Sequence, residues 1–356
     1  MNRAPPLLTL LFCLQLGGCY LIQTANGQMD LMSRRQPIPA VIADPATPEK
    51  LKTQLQGVLE MRAFAVRELG LPDNGSYRSY ADVARPFVLW NVFAAPEFSV
   101  QPRRWCFPVA GCVVYRGYFS EQKARSFAAR LHAQGNDVYV AGVPAYSTLG
   151  HFDDPVLSTM MAWSDVRLAA IIFHELTHQL VYIPGDTSFN EAFASVVEVE
   201  GVRRWLSAHD RAHELAAFEL QREHEGEIVR LLGSGRERLK ALYASGLETS
   251  VMFERKRAEF DRLLGEYGAL LKSWGIPGVE PGLTEDLNNA YLVSVAAYEE
   301  CVPGLQRLLA ESGNNLAAFF QRVKAVAAEK EAARHQSVCT AGPPSASNVA
   351  AASLGR

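Results

Sequence analysis

Between Pro48 and Leu69 the apolar residues Leu51, Leu55, Val58, Leu59, Phe64 and Val66 recur at close to helical spacing. Gly70 and Pro72 close the run, which predicts an amphipathic helix. Residues 73–120 lose that period: aromatic and β-branched residues broken by Pro and Gly predict short strands and loops. The helical pattern returns from Glu121 to His132 and stops at Gly135, after which Asp137-Val138-Tyr139-Val140-Ala141-Gly142-Val143 alternates as a strand. A further helix is expected over about residues 157–182 and another from Phe189. From Ser195 to about Trp274 Ala, Leu, Glu and Arg dominate, with Gly233-Ser234-Gly235 as the expected break between two long helices of an antiparallel hairpin. Pro277 to Gly282 reads as a loop, Leu287 to Leu309 as a helix, and Thr340 to Arg356 as a disordered tail. The sum is an α+β fold, predominantly helical, with a small mixed sheet and a long helical hairpin.

The N-terminus breaks this pattern. Arg3 precedes the apolar stretch Leu7 to Leu16, which has signal-peptide length and is too short to span a bilayer. The Leu16-Gly17-Gly18-Cys19 that follows resembles a bacterial lipobox. That resemblance implies removal of residues 1–18, lipidation of Cys19 and attachment to the membrane through the lipid, and Tyr20 after the cysteine is similar to lipoproteins sorted to the outer membrane. An ordinary secretory signal with another cut site is the alternative. The expected location is the bacterial cell envelope, with the chain facing the periplasm.

Export changes the meaning of the cysteines. Beyond Cys13 and Cys19 there remain Cys106, Cys112, Cys301 and Cys339, an even number in an oxidising compartment. Pro108 and Gly111 suit a tight turn between Cys106 and Cys112, which would leave Cys301 with Cys339 to tie down the tail; free buried thiols remain the alternative. A formal charge of −3 over 356 residues argues against nucleic acid as a partner.

The chemistry lies in Ile171 to Leu180, I-I-F-H-E-L-T-H-Q-L, an H-E-x-x-H motif in an uncharged, helix-compatible run. On a helix His174 and His178 lie on one face, so both imidazoles can reach one zinc ion at about 2.0–2.1 Å. Glu175 is turned roughly 100° away and can act on a water as a general base. A catalytic zinc needs a third protein ligand. Phe189-Asn190-Glu191-Ala192-Phe193-Ala194 opens the next helix, and Glu191 is the natural carboxylate for it. The chain contains its own control: His209 and His213 have the same spacing but no carboxylate motif beside them, and read as a solvated face.

The pairing of H-E-L-T-H-Q-L with N-E-A-F-A-S resembles the zinc signature of gluzincin metallopeptidases, above all aminopeptidases whose second motif reads N-E-G-F-A. Together with Trp105 to Cys112 and Ala145 to Gly150, it is similar to a bacterial family of predicted aminopeptidases. The resemblance implies a zincin-like core, one Zn2+ held by His174, His178 and Glu191, Glu175 as catalytic base and acid, and a peptide as substrate. It also implies a tyrosine beside the reacting carbonyl, for which Tyr298, Tyr291 and Tyr146 are the candidates. The spacer from His178 to Glu191, residues 179–190, is shorter than in the large gluzincin aminopeptidases, and their G-x-M-E-N motif is absent.

Upstream of the zinc helix, Tyr146, Ser147, Thr148, Asp153 and Asp154 are candidates to line the cleft. Asp153, Asp154 or Glu198 could hold a substrate ammonium, and Glu198, two turns after Glu191, could instead orient a histidine. The organisation expected is a metallopeptidase core at 19–194 and a helical part completing the cleft at 195–339. An endopeptidase acting on envelope proteins or cell-wall peptides, and a lipoprotein scaffold with a structural zinc, are the competing readings.

Overall fold

The computed structural model describes residues 20, 22–107, 111–276, 287–296 and 301–339. In chain order the first half contains α1 (residues 22–33), β1 (Arg35–Pro37), α2 (Ile38–Ala43), α3 (Glu49–Arg67), β2 (Ser79–Ala81), β3 (Leu89–Pro96), β4 (Trp105–Phe107), β5 (Gly111–Val113), β6 (Tyr115–Tyr118), α4 (Glu121–His132), β7 (Asn136–Val143) and β8 (Val156–Leu157). The second half is helical: α5 (Asp165–His178), α6 (Thr187–Ala208), α7 (Ala212–Tyr243), α8 (Thr249–Ser273), α9 (Asn289–Ala296), α10 (Val302–Glu311), α11 (Leu316–Ala327) and α12 (Glu331–Val338). The fold is α+β and mostly helical, with small sheets.

Strand β3 is the middle of an antiparallel sheet ordered β6-β3-β7, with Trp90 opposite Tyr118 on one side and Gly142 on the other. Period-two alternation sends Trp90, Val92 and Ala94 to one face, where they are buried with Ala124 and Leu131 of α4. Leu89, Asn91 and Phe93 face the other way, beside Tyr115 and Gly117 of β6. A second small sheet, β1-β2-β8, mixes an antiparallel with a parallel pairing. The main core gathers Phe64 of α3, Phe173 of α5, Phe189 and Phe193 of α6 and Phe319 of α11. It draws on both sides of residue 194, and α6 runs unbroken through that point.

Four boundaries differ from the pattern reading. The helix expected over 157–182 starts later, because residues 156–157 pair with β2 and Ser164 caps α5 by accepting the Arg167 backbone N–H at 3.3 Å. It stops at His178, since the Asn190 side chain takes both the N–H and the C=O of Ile183, each at 2.8 Å, and holds residues 179–186 as a loop. The hairpin turns at residues 244–248, not at Gly233-Ser234-Gly235, through which α7 is continuous. Gly235 serves close approach: a Cβ there would stand 2.9 Å from Leu263 of α8. Finally, the helix expected over Leu287–Leu309 does not run through Cys301; α10 begins at Val302, with Pro303 in the first turn where its missing N–H costs nothing.

Two disulfides join Cys106 to Cys112, directly opposite each other in the β4–β5 hairpin, and Cys301 to Cys339, at the start of α10 and just past the end of α12. No helix among the described residues is long and apolar enough to cross a membrane. The expected leader 1–18, Cys19, the expected loop Pro277 to Gly282 and the expected tail from Thr340 lie outside the described residues.

Candidate metal centre

Helix α5 is amphipathic in the sense the site needs. Leu168, Ala169, Ile172, Phe173 and Leu176 are buried in the core, while His174 and Glu175 face a cleft of about 1070 Å³. Helix α6 is capped by Asp186, just before its first residue, whose carboxylate accepts the Phe189 N–H at 3.2 Å. Glu191 and Glu198, two turns apart on one face of α6, both reach α5.

Three atoms then form a triangle. His174 Nε2 and His178 Nε2 are 3.2 Å apart, and Glu191 Oε2 is 3.3 Å from the first and 3.7 Å from the second. Ligands at about 2.0–2.1 Å in a tetrahedron around one ion stand about 3.3–3.4 Å from each other, so the edges fit a shared cation. The donor set of two imidazoles and one carboxylate, open on the cleft side, is compatible with a bound metal ion. Electrostatics agree. Burial works against charge on His174, yet Glu191 and Glu198 hold its imidazole well above the usual histidine range. Burial also pushes Glu191 up, but the two imidazoles prevail and hold it well below the usual carboxylate range. The cluster attracts positive charge, whether a proton or a divalent ion.

Glu198 acts through His174. Its Oε2 lies 2.9 Å from Nδ1, where it can accept the Nδ1–H and so free Nε2 for an ion. His178 lacks such a partner among the described residues; Tyr182 packs edge-on against its ring, centroids 6.3 Å apart. Glu198→Ala is expected to weaken metal binding about 10- to 100-fold. Competition against a chelating dye measures this, and an unchanged affinity would remove the orienting role.

The cleft sorts the remaining candidates. Tyr146, Ser147, Thr148, Glu175 and Glu198 line it. Asp154 does not: its side chain is fully buried and accepts the Thr148 N–H at 2.8 Å and the Thr148 hydroxyl at 2.9 Å, so it braces the 145–154 loop instead of meeting an ammonium. Asp153 points the other way, into a separate depression beside Gly75 and Arg78. Tyr291 packs on Tyr139, 5.0 Å between centroids, and against the core of α7 and α8, away from the cleft. Tyr298 lies outside the described residues. His209 and His213 are exposed and do not share a helix: His209 is the residue that caps α6 after Ala208, and His213 lies in the first turn of α7. A second cluster, Cys301, His335 and Cys339, has ligand spacing, but its thiols are joined in the disulfide.

Burial raises the Asp154 carboxyl from 3.8 to about 6, against the hydrogen bonds from Thr148. Between these values the folded protein holds a proton that the unfolded chain has released, so stability falls as pH rises from about 4 to 6, by about 3 kcal/mol. Asp154→Asn should lack this component and be the more stable form at pH 7. Urea unfolding at pH 4 and pH 7 tests it; a difference between the two proteins that is the same at both values would refute it.

A family model described as "Putative aminopeptidase" matches residues 19–338. The chain belongs to that family. No curated protein and no solved structure matches it. The matched range includes the whole α5–α6 pair, so the aminopeptidase description covers every residue of the triangle.

Several residues facing this family member's cleft escape the sequence reading. Tyr115 on β6 and Tyr182 after α5 both line it. Burial, then the charge of Glu191, pushes both phenols up; for Tyr115 Glu175 adds to the effect, so both stay protonated donors at neutral pH. Tyr146 is likewise pushed up to about 12 by burial and by Asp154. Helix α1 supplies Thr24, Ala25, Gln28 and Met29 to the same wall. The Cys106–Cys112 hairpin leans on the α5–α6 loop: a Cβ on Gly111, whose φ is +73°, would meet the Gly185 nitrogen at 2.5 Å. Only glycine fits there.

Proposed function

We propose that this chain is a zinc-dependent peptidase with a zincin-like core, an aminopeptidase in the gluzincin manner, tethered by lipid at Cys19 in the bacterial envelope. The observation that carries the reading is the triangle of His174, His178 and Glu191, with Glu175 beside it in the cleft. His174, His178 and Glu191 would hold the ion. Bound there, zinc supplies Lewis acidity toward a water and a scissile carbonyl.

Glu175 faces the cleft from the same helix turn and carries the proton: its carboxylate takes one from the attacking water and returns it to the leaving amine. The Tyr115 and Tyr182 hydroxyls are the protonated donors placed to meet negative charge developing on the carbonyl oxygen. Glu198 keeps His174 in the tautomer that presents Nε2. The lipobox-like Leu16-Gly17-Gly18-Cys19 supports the tether.

Stripping the protein with a chelator is expected to abolish hydrolysis of a peptide mixture, and one equivalent of zinc to restore it. Elemental analysis and mass spectrometry of the digest read both. Peptide hydrolysis at full rate by metal-free protein would exclude the reading.

A further inference from the structure

We infer that Arg167 is a binding site for the C-terminal carboxylate of the substrate, so that the cleft selects short apolar peptides by their carboxyl end. The inference rests on the peptidase reading above and specifies its substrate.

Arg167 lies on the cleft-facing side of α5, seven residues before His174. Among the described residues it has no carboxylate within ion-pair distance. The reason is local: Asp165, two residues away, is held by Arg211 at 2.8 Å. The Arg167 guanidinium instead lies over the Trp163 ring, 4.4 Å from its centroid, which fixes its plane while leaving its N–H groups to a ligand. A planar fork of donors beside an apolar cleft suits a carboxylate.

The opposite end of a peptide finds no matching group. The acids lining the cleft among the described residues are Glu175, Glu191 and Glu198. Glu191 and Glu198 are bonded to the histidines and Glu175 handles the proton, so none is free to hold an ammonium. On the helix between Arg167 and the triangle the cleft lining is apolar, Ala170 and Ile171, and Val143, Phe119 and Leu89 add apolar surface to the same cleft.

The spacing sets the length. Seven residues of helix rise about 10.5 Å, and an extended peptide covers about 3.3–3.6 Å per residue. The carboxylate therefore sits about three residues beyond the scissile bond. Tetrapeptides that lose their first residue satisfy this, which agrees with the family's description while moving recognition to the other terminus.

Tetraleucine and tetraleucine amide, offered to the zinc-loaded enzyme, test the assignment. The acid should exceed the amide about 10- to 100-fold in kcat/KM, through KM, as expected for one charge-assisted pair. Arg167→Gln should bring the ratio to about one, and Arg167→Lys should keep part of it. Calorimetric binding of both peptides to Glu175→Gln protein, with and without Arg167→Gln, reads recognition without turnover. Equal hydrolysis and equal binding of acid and amide would overturn the carboxylate site and leave the peptidase standing. Preferential binding of the acid that Arg167→Gln removes, with no hydrolysis by the wild type, would overturn the peptidase and leave the site. A preference that survives Arg167→Gln overturns it as well.

Discussion

Glu175→Gln protein is expected to bind one equivalent of metal as the wild type does and to hydrolyse peptides about 10²- to 10⁴-fold more slowly in kcat. The two halves of this result separate because Glu175 is outside the triangle: its neighbours one position before and three after present the imidazoles, while it faces the cleft from between them. Glutamine has nearly the same shape and keeps an acceptor oxygen, so packing and metal affinity should survive. It cannot take a proton from water at neutral pH. Titrating metal into the stripped variant and following peptide turnover gives both numbers. Wild-type kcat in the variant would sink the general-base assignment, and loss of the metal would mean that Glu175 is itself a ligand.

The second large effect is on stability and lies 148 residues from its cause. Asp186 caps α6 and at the same time receives Arg334 Nε at 2.7 Å and His335 Nε2 at 2.9 Å from α12. The Asp186 and Arg334 side chains are 3% and 5% exposed, so removing the carboxylate leaves a guanidinium in the interior without its counter-charge. Asp186→Ala should cost about 3–5 kcal/mol for the broken pair, with about 1 kcal/mol more for the cap. Because Glu191 stands in the first turns of the same helix, metal affinity should fall too. Urea unfolding with and without metal measures the loss; a change below about 1 kcal/mol would show that water replaces the carboxylate.

The candidate metal centre is legible in the sequence because its parts are local. Helical period places His174 over His178, the Asn-Glu pair opens the next helix, and Glu198 follows two turns later; each relation spans a few residues of regular structure. What the chain pattern could not show depends on contacts across long separations. Tyr115 reaches the cleft because β6 is an edge strand of a sheet whose middle strand comes from residues 89–96. Nothing in its own neighbourhood marks it. Asp153 and Asp154 are equivalent in sequence, and only the packing of the 145–154 loop turns one outward and buries the other. Gly233-Ser234-Gly235 was misread for a different reason. Glycine permits both a turn and a close approach, and the approach of Leu263, not any local signal, decides for the second.

Every side chain of the centre lies between residues 174 and 198, and this bears on the order of events as the chain folds. Bringing such near neighbours together closes a short loop at small entropic cost, whereas the Asp186 clamp must wait for residues 334 and 335. As the chain folds, the α5–α6 pair with its candidate metal triangle can therefore form before the last three helices dock. The C-terminal segment with its disulfide then arrives as a latch on a centre already assembled.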